Sequence, residues 1–405
     1  MSKYSAAKEH IDLVSKLLSL YKKGLVAGEN MESAVSKILS VQARINQMLF
    51  STENFSAVCY GVDEFDLAMS QGQSFSESVE VWLEFIEDIA EMIKGKSNSL
   101  DGDFYALMSY FSVSDEESII SDMKRNLDSA LKKSPEITKR TLGFYNNLSH
   151  LWGKISPKDD EYEMITDRVK SLKDHENDFL WLYERLADYR SKNVLYRTLQ
   201  NWLIFDVDEL SRMREITYLE YSDFDILTCD ENEVFVDCGA FDGDSASNFI
   251  ESFKKYKKIY CYEAEEENYE KLKENLKIYD NIVPLRKAVG DSHSVMSIST
   301  EEDGSSLLKG GDCMVDVVPL DDDITEPVTL VKMDIEGAEQ AAIRGMERHI
   351  KEDRPKLIIC VYHGNRDIVE IPMLIENIRD DYKLYLRNHG TPLLNAPVDT
   401  AIYAV

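Results

Sequence analysis

The chain has 405 residues, 43% of them hydrophobic and 30% charged, a globular composition that excludes wholesale disorder and is long enough for two or three domains. The formal net charge of −29 opposes phosphate backbones and anionic bilayers, so nucleic acid and membrane surfaces are poor partners. The acid is uneven: residues 1–200 hold 24 basic and 32 acidic side chains, residues 201–405 hold 22 and 43. The expected division is a helical domain over 1–205 and a carboxylate-rich domain over 215–405, the latter suited to neutral or cationic ligands.

The 6 cysteines, Cys59, Cys229, Cys238, Cys261, Cys313 and Cys360, show neither C-x-x-C nor zinc spacing, and several sit in apolar runs. That is a reduced inventory and predicts a cytoplasmic protein. The first 24 residues carry charges through their apolar stretch and show no small-residue cleavage site, so they do not read as a signal peptide. No apolar run approaches the roughly 18–20 residues of a membrane span.

The first half has helical periodicity. Val79, Trp82, Phe85, Ile86, Ile89 and Ile93 form an apolar stripe opposite Glu84, Glu87, Asp88 and Glu91. Segments 5–23, 31–49, 116–132, 136–152, 161–190 and 194–204 share the period, with breaks at glycines and at Ser134-Pro135 and Ser156-Pro157. His10, His150 and His175 stand alone and suggest no chemistry.

Near residue 215 short β-rich runs begin to alternate with helical ones: EVFVDCG, SASNFIESFKKY, KKIYCYEAE, ENYEKLKENLKIY, NIVPLRKAV, then VTLVKMDIEG, AEQAAIRGMERHI, KLIICVYHG, IPMLIENIRDD, YKLYLRNHG and TAIYAV. This alternation predicts an open, mostly parallel α/β sheet, whose ligands bind beyond the strand ends.

The first strand ends in Asp237-Cys-Gly239-Ala240-Phe241-Asp242-Gly243-Asp244, where glycines allow a tight turn and close approach to a ligand. The second ends in Glu263-Ala264, placing a carboxylate where ribose hydroxyls could bond. Dinucleotide and methyl-donor sites share this pattern. The acids crowding the loop oppose a pyrophosphate, whereas S-adenosylmethionine carries a sulfonium and an ammonium group, so the charge favours the methyl donor over a nicotinamide cofactor. After the third strand, Ala288 and Asp291 would lie near the adenine. The fourth strand ends in Lys332-Met-Asp334-Ile-Glu336-Gly337-Ala338-Glu339 and the fifth in Tyr362-His363. Glu339 reads as a helix cap, whereas Asp334, Glu336 and His363 converge as a general base or a metal site.

FVDCGAFDGDSASNF, YEAEEENYEKLKENL, VPLDDDI, VTLVKMDIEGAEQAAIRGM, RPKLIICVYHGNRDIVEIPMLI, YKLYLRNHG and TAIYAV together resemble the FkbM family of S-adenosylmethionine-dependent methyltransferases, over roughly residues 215–405. The resemblance implies a class I (Rossmann-like) methyltransferase fold, a seven-stranded sheet whose last strand is antiparallel, and O-methylation, often of sugar or polyketide hydroxyls. Carried over, Asp237, Gly239 and Gly243 would cradle the methionine part and Glu263 the ribose; Ala240, Phe241, Asp244, Ala264, Ala288, Asp291 and Asp334 complete the expected cofactor set. The family commonly has Asn where this chain has Phe241. His363 is the first choice for general base, oriented by Asp334 or Glu336; a divalent cation on Asp334, Glu336 and His363 is the less favoured arrangement. The acceptor would be a small molecule or glycan. Two other readings are a non-catalytic S-adenosylmethionine-binding scaffold and a nicotinamide oxidoreductase. The helical half is expected to cover the crevice or to join two chains.

Overall fold

The computed structural model describes residues 100–205, 210, 213–215, 217–300, 306–307, 313–390 and 398–405. The periodic segments 5–23, 31–49 and 79–93, with His10 and Cys59, lie outside the described residues.

The described helical part comprises α1 (Leu100–Val113), α2 (Glu116–Lys133), α3 (Pro135–Asn147), the single turn α4 (Ser149–Trp152), a short hairpin of β1 (Ile155–Ser156) and β2 (Glu161–Tyr162), then α5 (Glu163–Asp174), α6 (Glu176–Arg185) and α7 (Tyr189–Ile204). Local chemistry sets the ends. The Asp115 carboxylate accepts from Ser118 N to open α2, and Asp188 accepts from Ser191 N to open α7. Pro135 opens α3, where its missing N–H costs nothing. The single period over 161–190 divides at His175, whose N–H closes α5 on the Ser171 carbonyl while α6 starts beside it.

The second half runs β3 (Val234–Cys238), α8 (Asp244–Phe253), β4 (Lys258–Tyr262), α9 (Glu266–Leu276), β5 (Ile282–Leu285), β6 (Ala288–Val289), β7 (Ser294–Thr300), β8 (Ser306–Leu307) and β9 (Cys313–Val318). It continues through α10 (Leu320–Asp323), β10 (Leu330–Met333), α11 (Glu339–Arg344), α12 (Glu347–Glu352), β11 (Lys356–Cys360), α13 (Asp367–Ile378), β12 (Leu384–Asn388) and β13 (Thr400–Ala404).

Seven strands form one sheet in the order β12-β13-β11-β10-β3-β4-β5. β3, β4, β5, β10 and β11 pair parallel with their neighbours, and β13 runs antiparallel to both β11 and β12. This is the class I methyltransferase architecture, with its last strand reversed. The chain order changes direction between β3 and β10, so a crevice opens beyond their carboxyl ends.

The inner strands are apolar on both faces because both are covered. Val236, Val331, Ile359 and Ile402 join one buried cluster; Phe235, Leu330, Ile358 and Tyr403 face the other way, against Phe249 and Leu272 of α8 and α9. The first cluster runs without interruption into Phe104, Leu127, Val169, Leu182 and Leu199 of the helical part. Secondary structure changes near residue 215, but the buried core crosses that point. Edge strand β12 is also covered from this side: Ala187 N donates to Leu384 O (2.8 Å), Glu215 N to Asn388 O (2.6 Å), and Leu386 N to Ser191 Oγ (3.0 Å).

A second, four-stranded sheet, β6-β9-β7-β8, is inserted between β5 and β10. The strand reading above did not include its β7–β9 meander. No helix among the described residues is long and apolar enough to cross a membrane.

Candidate functional site

A cleft of about 660 Å³ lies at the carboxyl ends of the central strands. Of the residues singled out from the sequence, its wall contains Gly239, Phe241, Asp244, Glu263, Ala264, Ala288, Asp291, Asp334, Glu336 and His363. Asp237, Ala240 and Gly243 stand behind the wall rather than on it. Asp237 is fully buried within β3; its carboxylate accepts from Ser245 Oγ (2.6 Å) and lies 3.2 Å from Lys332 Nζ. Ala240 is fully buried, and Gly243 packs against Leu276 under the loop.

The loop can cross β10 only because residue 239 is glycine. Its φ is +75°, and a Cβ there would stand 1.8 Å from the Asp334 carbonyl oxygen. Phe241 takes the left-handed conformation with φ 46° and is 43% exposed. Asn tolerates that conformation better than Phe, which gives a backbone reason for Asn at this place in the family.

Glu263 joins the β4 end to the loop. One carboxylate oxygen accepts from Phe241 N (2.9 Å), the other from Glu265 N (2.8 Å). Burial is the largest influence on its carboxyl and pushes it up to about 7 against these backbone bonds. The cationic groups of this region are already partnered: Lys332 lies beside Asp237 and donates to Gly239 O (2.7 Å), and Lys287 lies 2.6 Å from Asp323.

On the same wall, His363 is 2% exposed. Its Nδ1 lies 2.8 Å from Glu339 Oε1; its Nε2 is 3.2 Å from Asp334 Oδ1 and 3.7 Å from Glu336 Oε2. Burial opposes its charged form, but Glu339 and Asp334 outweigh burial and hold the imidazole well above its ordinary pKa. Asp334 accepts from Tyr221 OH (3.0 Å) and Tyr362 OH (3.2 Å). Burial resists its ionisation, yet His363, Lys332 and Tyr221 keep its carboxyl well below the usual range.

Glu339 therefore does more than cap a helix. Its Oε1 accepts from Ile335 N (2.8 Å) and also holds His363 Nδ1, the orienting role expected of Asp334 or Glu336. Asp334, Glu339 and His363 each offer a ligand atom within 4.8 Å of the others, so the tightest potential metal group among the described residues contains Glu339. Glu336 adopts φ 55° and Gly337 φ +94° in the turn that sets this spacing.

Several wall residues carried no signal in the sequence. Glu220 and Tyr221 stand in an irregular segment before β3, and Val398 and Asp399 just before β13. Burial, the largest influence on each, pushes Glu220 up to about 7 and Asp399 up to about 6. Phe144, Leu148 and Leu151 bring an apolar wall from the helical part. Leu151 faces the turn after β10: a Cβ on Gly337 would meet its Cδ2 at 3.8 Å.

Residues 237–390 match the family model of the methyltransferase FkbM domain. Among solved structures, methyltransferase FkbM from Methylobacillus flagellatus KT is similar at 29% identity and a TM-score of 0.51, over 59% of this chain and 62% of that one. An rRNA methylase from Streptococcus thermophilus matches at 15% identity and TM-score 0.29 over 43% and 87% of the two chains. Fibrillarin from Aeropyrum pernix, solved with natively bound S-adenosyl-L-methionine, matches at 12% and 0.29 over 44% and 67%. These last two likenesses are too slight to speak to cofactor or substrate. No curated protein matches the chain. The family model begins at the glycine turn and ends just beyond β12, enclosing Glu263, Asp334 and His363: within the C-terminal half of this chain, residues 237–390 carry a domain that matches the FkbM methyltransferases.

Proposed function

We propose that this chain transfers the methyl group of S-adenosylmethionine to a hydroxyl of a sugar, glycan or natural-product acceptor. One observation carries the reading: a single cleft is lined by the glycine turn and Glu263 and also by Asp334, Glu336 and His363. The donor fits the residues present. Gly239 leaves room above β10, Glu263 offers carboxylate oxygens, and Lys332 and Lys287 are engaged with Asp237 and Asp323 rather than free for a diphosphate. When bound, S-adenosylmethionine supplies an electrophilic methyl on a sulfonium.

Asp334, Glu336 and His363 form the acceptor end. His363, as an imidazolium between Glu339 and Asp334, must release a proton before it can accept one. In this arrangement it fixes Asp334 and offsets its charge. Asp334, held ionised by three donors, is a weak base and suits electrostatic support of the donor's positive end. Glu220 has a basicity near neutral pH and shares the wall, so it joins His363 as a candidate to take the hydroxyl proton. Phe144, Leu148 and Leu151 would shape the acceptor pocket from the helical domain over 1–205. The free thiols Cys229, Cys238, Cys261 and Cys360 support a cytoplasmic setting.

The test is incubation of the full chain with isotopically labelled donor and a cell glycan and metabolite extract. Base-stable label in a methyl ether is the expected product. Label released by mild base, as from a methyl ester, overturns the hydroxyl assignment; label nowhere, with the donor bound, favours the scaffold reading. His363→Ala should lower turnover about a hundredfold with little change in donor binding. Activity lost to a chelator and restored by a divalent cation would put a metal on Asp334, His363 and their neighbours.

A further inference from the structure

The segment that carries Tyr362 and His363 is anchored from its far side by the helical part. Trp152 Nε1, at the end of α4, donates to the Tyr362 carbonyl (2.6 Å). Asn365 Nδ2 donates to the Trp152 carbonyl (3.1 Å) and to Asp167 Oδ2 (2.8 Å). Asn365 Oδ1 accepts from Arg168 Nε (3.2 Å), and its carbonyl accepts from Ser171 Oγ (3.0 Å). Trp152, Arg168, Ser171 and Asn365 are all buried. Every one of these bonds joins residues about two hundred positions apart, between the α4–α5 region and the turn that follows β11.

On its near side the same turn serves the cleft. Tyr362 OH reaches Asp334, and His363 sits between Glu339 and Asp334. Four residues thus span from the helical part to the acceptor end with no slack. A turn of this kind would otherwise be the mobile element of a strand-end site. Buried polar groups accept few alternative arrangements, because each lost bond leaves an unsatisfied group in a dry setting.

We infer that Trp152 and Asn365 are positioning residues: through them the helical part fixes the Tyr362–His363 turn, and so the geometry of the acceptor end. The inference rests on the methyl-transfer reading for its effect on rate, but not for its effect on the turn. A displacement of about 1 Å at such a site can cost on the order of a hundredfold in rate.

The experiment compares full-length Trp152→Phe, Ser171→Ala and Asn365→Ser with a control, Arg185→Gln. Arg185 also joins the helical part to the second half, through Glu376 (2.7 and 2.9 Å), at a place that does not line the cleft. Amide exchange over residues 361–366, the ring resonances of His363 and affinity for S-adenosylhomocysteine are measured for each. The expected result is faster exchange and shifted His363 resonances in the three brace variants alone, with affinity within about threefold of the parent. Where the parent transfers methyl groups, kcat should fall at least about tenfold while the donor KM holds. Unchanged exchange and resonances in Trp152→Phe and Ser171→Ala, or equal changes in Arg185→Gln, overturn the inference. A parent that never transfers a methyl group overturns the functional reading and leaves the exchange result to decide the brace.

Discussion

Lys332 Nζ lies 3.2 Å from the Asp237 carboxylate, and neither side chain is more than 3% exposed. The same ammonium donates to the Gly239 carbonyl at 2.7 Å. The pair therefore ties β10 to β3 directly below the glycine turn and holds that turn in place.

Lys332→Met should be strongly destabilising, by about 3–5 kcal/mol, because it strands the Asp237 carboxylate in a dry interior. Adding Asp237→Asn should recover a large part of that loss. Urea unfolding of the single and double variants measures both. A single variant as stable as the parent would mean that the pair is not coupled.

Gly239→Ala should disrupt both fold and cleft. The new methyl would meet the Asp334 carbonyl oxygen at 1.8 Å, and residue 239 would keep a φ of +75° that L residues rarely adopt. Backbone on both sides must move, so a loss of several kcal/mol is expected, read as a lower melting temperature together with lost binding of S-adenosylhomocysteine.

Glu263→Gln should weaken binding of S-adenosylhomocysteine about ten- to a hundredfold by calorimetry, through loss of a charged acceptor. The pH dependence gives an independent check. Burial raises the Glu263 carboxyl to about 7, and a ribose hydroxyl bonds best to the ionised form. Parent affinity should therefore rise as the pH climbs through about 7 and fall below it, and Glu263→Gln should flatten that part of the profile. An identical profile in the variant removes Glu263 from the ribose site.

Glu326 is shifted the other way, and its pH dependence, of the same sign but at lower pH, is in stability. Its carboxylate meets Lys257, Lys258 and the Tyr260 hydroxyl, and the lysine bonds lower its carboxyl to about 2. A depressed folded value means that the contribution is fully present above the ordinary 4.5 and is lost as the pH falls towards 2. The melting-temperature gap between the parent and Glu326→Gln should be open at pH 6 and close progressively below about pH 4.5.

The inner parallel strands were legible because a strand covered on both faces must be apolar along most of its length, as VFV of β3 and LIIC of β11 are, and because glycine or a carboxylate follows β3, β4 and β10. Gly239, Glu263, Asp334 and His363 could be singled out for the same reason: they stand at strand ends, where topology alone directs them to one crevice. The β7–β9 meander was not legible. SVMSIST alternates small polar and apolar residues, and its partners are the two-residue β8 and, along most of its length, β9, more than a dozen residues away.

Pairing among side chains was beyond the sequence. Within one turn of chain, Asp334, Glu336 and Glu339 are equivalent acids by type. The left-handed Glu336-Gly337 turn is what sends Glu339 to His363 Nδ1 and Asp334 to Nε2. Glu220 and Tyr221 precede the first strand in a segment without period, and the chain must fold before Tyr221 meets Asp334, 113 residues on. The helical stripes of 116–204 foretold a buried face but not its partner. An apolar stripe specifies only that something must cover it, and the covering surface, the sheet face of Val236 and Ile402, is decided by the tertiary packing that also brings Trp152 to Tyr362.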